Sequence, residues 1–282
     1  MFPTLKNLST ILFDEENAKK LILERLNSRV INTCPEDGST LTKIEDFRYK
    51  CNKKSHRKIY SILKDTIFEN KSMKFSEILL VIYLWCTKSK QDAIIKMTGH
   101  SDKTISKIFN KVKALIYYSL KDDDMKIGGE GVVVELDESK FGKRKYNRGH
   151  RVEGAWVFGG VERTPERRCF LFVVEKRDAA TLNEIIKKCV LPGSIVITDG
   201  WKGYNFLRND LNYHHYFVNH SISFITMEGH HTNTIEGTWN GIKLNIPVRH
   251  RTKLFLQNDL FEFIWRRQNK NNIWEAALDL VS

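Results

Sequence analysis

Apolar and polar positions follow two different rhythms along this chain. Up to about residue 121 the spacing is helical, apart from residues 31–56. Residues 1–30 mix apolar and charged positions as a surface helix does, and Lys74–Cys86 is almost wholly apolar, as expected of a core helix. Its longest apolar run, Ile78–Cys86, is about half of the roughly 18 residues a membrane span requires. Next come a short helix over Gln91–Thr98, a turn at Gly99-His100-Ser101, and a second helix from Asp102 to Lys113. Ile105, Ile108, Phe109 and Val112 fall at i, i+3, i+4 and i+7, which turns them toward a core. Lys103, Ser106, Lys107, Asn110 and Lys113 are left on the outer face, and Ser101 is positioned to cap the helix. Helix, Gly-containing turn and helix form a helix-turn-helix pattern, and Lys103, Lys107 and Asn110 are its candidate contacts to phosphates and base edges.

Beyond a polar, Gly-rich stretch at 121–131 the rhythm changes to that of strands. Strands are predicted over 132–137, 155–161, 169–174, 194–199 and 214–218, and helices over 179–189, 232–244 and 254–269. Their succession is the order of an RNase H-like fold, an α/β domain with a mixed five-stranded sheet. Three regions follow: 1–56, an N-terminal helix and a degenerate zinc-ribbon-like segment; 57–121, a helical helix-turn-helix domain; and 131–270, the α/β domain.

The ribbon-like segment carries Cys34 and Cys51, each of which would open a C-x-x-C knuckle. The second positions hold Asp37 and Lys54 instead. Protonated lysine cannot ligate zinc, and two thiolates alone rarely hold a structural ion. A decayed ribbon or a plain β-hairpin is therefore expected, without zinc. The five cysteines are odd in number and dispersed, which suits a reducing compartment better than a disulfide framework.

Candidate chemistry lies in three acids. Asp137 and Asp199 each end an apolar predicted strand, and in an RNase H-like sheet those strands are parallel neighbours. Two carboxylates projecting from one edge repel unless a cation lies between them, and Mg²⁺ suits carboxylate oxygens. The helix from Thr232 places Glu236, Asn240 and Lys243 along one stripe, and Ile235, Trp239 and Ile242 along the core stripe. Glu236 can complete a metal cage, Asn233 is a neutral alternative ligand, and Lys243 can meet a DNA phosphate.

Asp137-Glu138-Ser139, Asp199-Gly200-Trp201 and the run His231–Lys243 together resemble the Merlin and ISXO-type insertion-sequence transposases, a DDE group, and the distances along the chain between the three acids suit it. The likeness covers about 131–270 and, more weakly, the segments ahead of it. It implies that Asp137, Asp199 and Glu236 are a catalytic triad binding two Mg²⁺ or Mn²⁺ ions, with Lys243 as a trailing basic residue. Members vary between Glu and Asn at the third position, so Asn233 is held in reserve. The implied enzyme is a two-metal polynucleotidyl transferase that cleaves transposon ends and joins them to target DNA. The alternative is a domesticated, catalytically silent DNA-binding protein, against which the presence of all three acids speaks.

Charge adds a partner. The net charge of +12 points to a polyanion, and nucleic acid is the commonest. Lys140, Lys143, Arg144, Lys145, Arg148 and Arg151 crowd one predicted loop beside Asp137, an expected clamp on a DNA backbone, and Tyr146 could stack on a base. The expected partners are double-stranded DNA, both transposon ends and target, and a second copy of the chain; no membrane is expected. The expected location is the nucleus in a eukaryotic host and the cytoplasm otherwise.

Overall fold

A computed structural model describes residues 2–54, 56–69, 72–142, 154–218 and 231–282. In chain order the elements are α1 (Ser9–Leu12), α2 (Glu15–Arg25), β1 (Leu41–Glu45), β2 (Arg48–Cys51), β3 (Ile59–Ser61), α3 (Phe75–Cys86), α4 (Gln91–Thr98), α5 (Asp102–Ser119), β4 (Ile127–Gly128), β5 (Val133–Phe141), β6 (Ala155–Glu162), β7 (Cys169–Val174), α6 (Ala179–Cys189), β8 (Val190–Leu191), β9 (Ile195–Asp199), β10 (His214–Val218), α7 (Asn233–Asn245), α8 (Lys253–Gln268) and α9 (Ile273–Val281). They form two compact units: residues 1–115 with 269–282, and residues 116–268.

In the first unit β1, β2 and β3 make a small antiparallel sheet. Among the described residues of 57–74 none is helical, against the helical reading of 57–121: Ile59-Tyr60-Ser61 pairs with β2, and turns follow it. The apolar α3 is buried along nearly its whole length, and α9 returns to it, with Tyr83 edge-on to Trp274 at 5.8 Å. Gly99 closes α4 in the left-handed region at φ 72°, where a Cβ would be strained, so the turn into α5 depends on it. Thr104 N–H donates to Ser101 Oγ at 3.2 Å, starting α5. Ile105, Ile108 and Val112 are buried and Phe109 half-buried, while Lys103, Lys107 and Asn110 are exposed.

The second unit is built on a mixed five-stranded sheet in the order β10-β9-β5-β6-β7, consistent with the expected RNase H-like fold. β5 runs parallel to β9 and antiparallel to β6, β9 is parallel to β10, and β6 is antiparallel to β7. The Gly-rich stretch at 121–131 is more than a linker. Met125 and Ile127 are buried in the core of this unit, and β4 pairs with β8. The first strand also exceeds its predicted end at 137. Ser139 and Phe141 continue the buried alternation and pair with β6 as far as Ala155, so Asp137 sits within β5, and Lys140 belongs to the strand. None of the five cysteines is in a disulfide. No helix among the described residues is long and apolar enough to cross a membrane.

Candidate active site

Strand alternation puts Glu135 and Asp137 on one face of β5, the face covered by α7. The parallel register pairs Glu135 with Ile197. Two residues further along each strand, Asp137 and Asp199 are carried to the same end of the sheet, as their strand context predicted. Asp199 Oδ1 accepts the Trp201 amide at 3.0 Å, which orients this carboxylate at the point where the chain leaves β9.

α7 is held against β5 at two points. Ile235 N–H, in the first turn, donates to Glu135 Oε2 at 2.9 Å, so a wholly buried carboxylate satisfies one of the helix's unpaired amides. Arg163 pairs with the other oxygen of Glu135 and donates to the His231 carbonyl, tying down the residues that lead into α7. One turn later Trp239 Nε1 donates to Asp137 Oδ2 at 2.8 Å. The indole can lie this close because Gly159 stands opposite Asp137 on β6; a Cβ there would be 2.7 Å from Trp239 Cη2. Trp239 therefore packs and orients a site carboxylate at once.

These two attachments fix the rotation of α7, and with it the acid at position 236. Glu236 is exposed and accepts from Thr232 Oγ1 at 3.1 Å. Burial, reinforced by the charges of Asp199 and Glu236, pushes Asp137 up to about 6, against the opposing Trp239 hydrogen bond. The three acids thus share one electrostatic neighbourhood. Lys243 is half-buried, with Nζ 5.4 Å from the Phe141 ring centre. Burial and the charge of Arg251 lower its pKa, while Asp137 acts in the opposite sense. Asn233 is exposed, and its backbone N–H donates to His231 Nδ1 at 3.3 Å.

A fourth acid, Glu138, went unassigned in the sequence. It takes a hydrogen bond from the Tyr204 hydroxyl and lies 4.0 Å from Arg177, and burial pushes it up to about 7. The available signal for it and for Glu135 was an acid within an otherwise apolar central strand. Of the predicted basic loop, Lys140 is described, with Nζ 5.5 Å from the Trp156 ring centre. Lys143, Arg144, Lys145, Tyr146, Arg148 and Arg151 lie outside the described residues.

The donor set of Asp137, Asp199 and Glu236 is all carboxylate oxygen, which suits a hard divalent cation such as Mg²⁺ or Mn²⁺. The family model of the ISXO2-like transposase domain matches residues 123–268, a span holding every residue of this site. No curated protein matches the chain.

Proposed function

Since that match covers just over half of its length, the chain belongs to the family with the ISXO2-like transposase domain, and from this premise we propose that it cuts and joins DNA at an Asp137-Asp199-Glu236 centre. The family generally uses a divalent metal and acts on DNA. The observation that carries the assignment is the parallel β5–β9 register, which brings Asp137 and Asp199 to the same end of the sheet, beneath the helix that carries Glu236 and holds Asp137 through Trp239. A carboxylate in that setting is relieved by a divalent cation.

Two Mg²⁺ or Mn²⁺ ions held by the three carboxylates would supply the activation of a water or 3′-hydroxyl and the stabilisation of a leaving oxygen. The chain's own residues do the positioning. Trp239 holds Asp137 by one oxygen, Trp201 N–H orients Asp199, and the Glu135–Arg163 pair sets where α7 presents Glu236. Lys243, close enough for Asp137 to act on its pKa, is proposed to neutralise a phosphate beside the scissile bond. Lys140, three residues beyond Asp137 on β5 and exposed, and the exposed Lys103, Lys107 and Asn110 of α5, are proposed as DNA contacts. The assembly that brings two ends together is proposed to be a homodimer.

The test uses a labelled duplex bearing a transposon end, incubated with the full chain and Mn²⁺ or Mg²⁺. Metal-dependent nicking at the end is expected. Asp199→Asn should abolish nicking and leave end binding nearly unchanged. If the wild-type chain binds ends and never nicks them, the catalytic reading fails and a DNA-binding role replaces it.

A further inference from the structure

The small sheet of the first unit brings together four side chains that the proposed DNA chemistry does not use. Cys34 and Asp37 come from a turn closed by Cys34 N–H to the Ser39 carbonyl at 2.7 Å and by Gly38 N–H to the Cys34 carbonyl at 2.9 Å. Cys51 ends β2, and His56 lies in the loop leading to β3, closed by Cys51 N–H to the Lys58 carbonyl at 2.9 Å. Two backbone-closed loops therefore present C-x₂-D and C-x₄-H toward each other.

One ligand atom from each residue falls within 4.8 Å of the other three. Cys34 Sγ is 3.4 Å from His56 Nε2, Cys51 Sγ is 3.9 Å from Asp37 Oδ2, and His56 Nδ1 is 3.7 Å from Asp37 Oδ2. A tetrahedral ion with bonds of roughly 2.1–2.3 Å requires ligand atoms about 3.4–3.8 Å apart. The spacing is therefore already close to that of a four-coordinate site. His56 meets Cys34 and Asp37 through different ring nitrogens, and an ion would take one of them.

The surroundings also suit a site. Both sulfurs are buried, and Asp37 Oδ1 is fixed by Ser39 Oγ at 2.5 Å and Ser39 N–H at 2.9 Å, leaving Oδ2 turned to the cluster. Tyr60 Oη lies 3.2 Å from Cys34 Sγ and Ser39 Oγ lies 3.1 Å from Cys51 Sγ, so each sulfur has a hydroxyl that could donate to a thiolate. Two thiolates, one carboxylate and a neutral imidazole around a divalent ion leave one net negative charge, and Lys53 Nζ stands 3.9 Å from Asp37 Oδ2.

We propose that Cys34, Asp37, Cys51 and His56 form a structural zinc site that ties the Cys34–Ser39 turn to the β2–β3 loop. This replaces the expectation of no zinc, which counted Lys54 as the fourth position. Lys54 is exposed, and His56, two residues further on, faces the cluster instead. Thiolate and imidazole donors select Zn²⁺ over Mg²⁺, so the site is chemically distinct from the carboxylate centre.

Co²⁺ is the probe, because thiolate-to-cobalt charge transfer in the near ultraviolet reports sulfur ligation directly. The full chain, reduced and stripped with a chelator, is titrated with Co²⁺. The expected result is a charge-transfer band saturating at about one equivalent and bleached by Zn²⁺. Cys34→Ser and Cys51→Ser should lose the band, His56→Ala should lose or weaken it, and Lys54→Ala should keep it. Absence of the band in the wild-type chain overturns the proposal whether or not any variant folds. So does a band that survives both cysteine substitutions.

Discussion

Replacing Asp137 with asparagine should stabilise the metal-free protein while removing its stabilisation by metal. Burial and two neighbouring acids raise this carboxyl from 3.8 to about 6. At about 1.4 kcal/mol per pH unit, holding it ionised in the folded state costs up to about 3 kcal/mol. Asparagine removes the charge, and its side-chain oxygen can still accept the Trp239 N–H, now 2.8 Å from Oδ2. A gain of about 1–3 kcal/mol is expected, which for a unit of this size raises the melting temperature by about 3–10 °C. The sign follows from proton linkage. The folded state binds the proton more tightly, so wild-type stability falls as pH rises from about 4 to about 6 and stays lowered above that. The advantage of Asp137→Asn should therefore be absent near pH 4 and complete above about pH 6. Thermal melts in chelator and in excess Mn²⁺ across that range provide the assay. Mn²⁺ should raise the wild-type midpoint at neutral pH and barely move that of the variant. A variant less stable than wild type in chelator at neutral pH, or one gaining as much from Mn²⁺, would refute the reasoning.

Two further predictions concern how the site is held. Glu135→Gln leaves the first turn of α7 and Arg163 with a neutral partner; it should cost about 1–3 kcal/mol in denaturant titrations. It should also slow metal-dependent nicking while end binding stays intact, and an unchanged nicking rate would mean that Glu135 does not position Glu236. Gly159→Ala adds a methyl 2.7 Å from Trp239 Cη2 and 2.8 Å from Leu171 Cδ2. It should cost about 1–3 kcal/mol and lower nicking through the displaced indole, so a neutral thermal melt would contradict the close packing described for Trp239.

The central strands of the second unit were legible because they are short apolar runs, buried along nearly their whole length in β6 and through the middle of β9, and Asp137 and Asp199 were legible as candidates because both stand among Val, Leu and Ile. The end of β5 was not. Ser139 and Lys140 break the apolar run, yet cross-strand pairing with β6 carries the strand on to Phe141. Glu135 was passed over because a charge in an apolar strand reads as an irregularity until its partners, Arg163 and the first turn of α7, come from distant parts of the chain. Trp239 was placed on the core side correctly, but its hydrogen bond to Asp137 depends on the gap left by Gly159, a relation between three elements. The approach of His56 to Cys34, Asp37 and Cys51 was hidden for a related reason. Ligand spacing was judged along the sequence, whereas the loop after β2 decides which side chain turns inward.

The carboxylate centre is tested most directly by a joining assay with a precut transposon end carrying a free 3′-hydroxyl, a supercoiled target plasmid and Mg²⁺. The wild-type chain should link end to target. Asp137→Asn, Asp199→Asn and Glu236→Gln should each abolish joining while retaining end binding, and Asn233→Ala should join normally. Joining by Glu236→Gln together with failure of Asn233→Ala would transfer the third position to Asn233. Joining that survives loss of Asp137 or Asp199 would contradict the carboxylate centre itself.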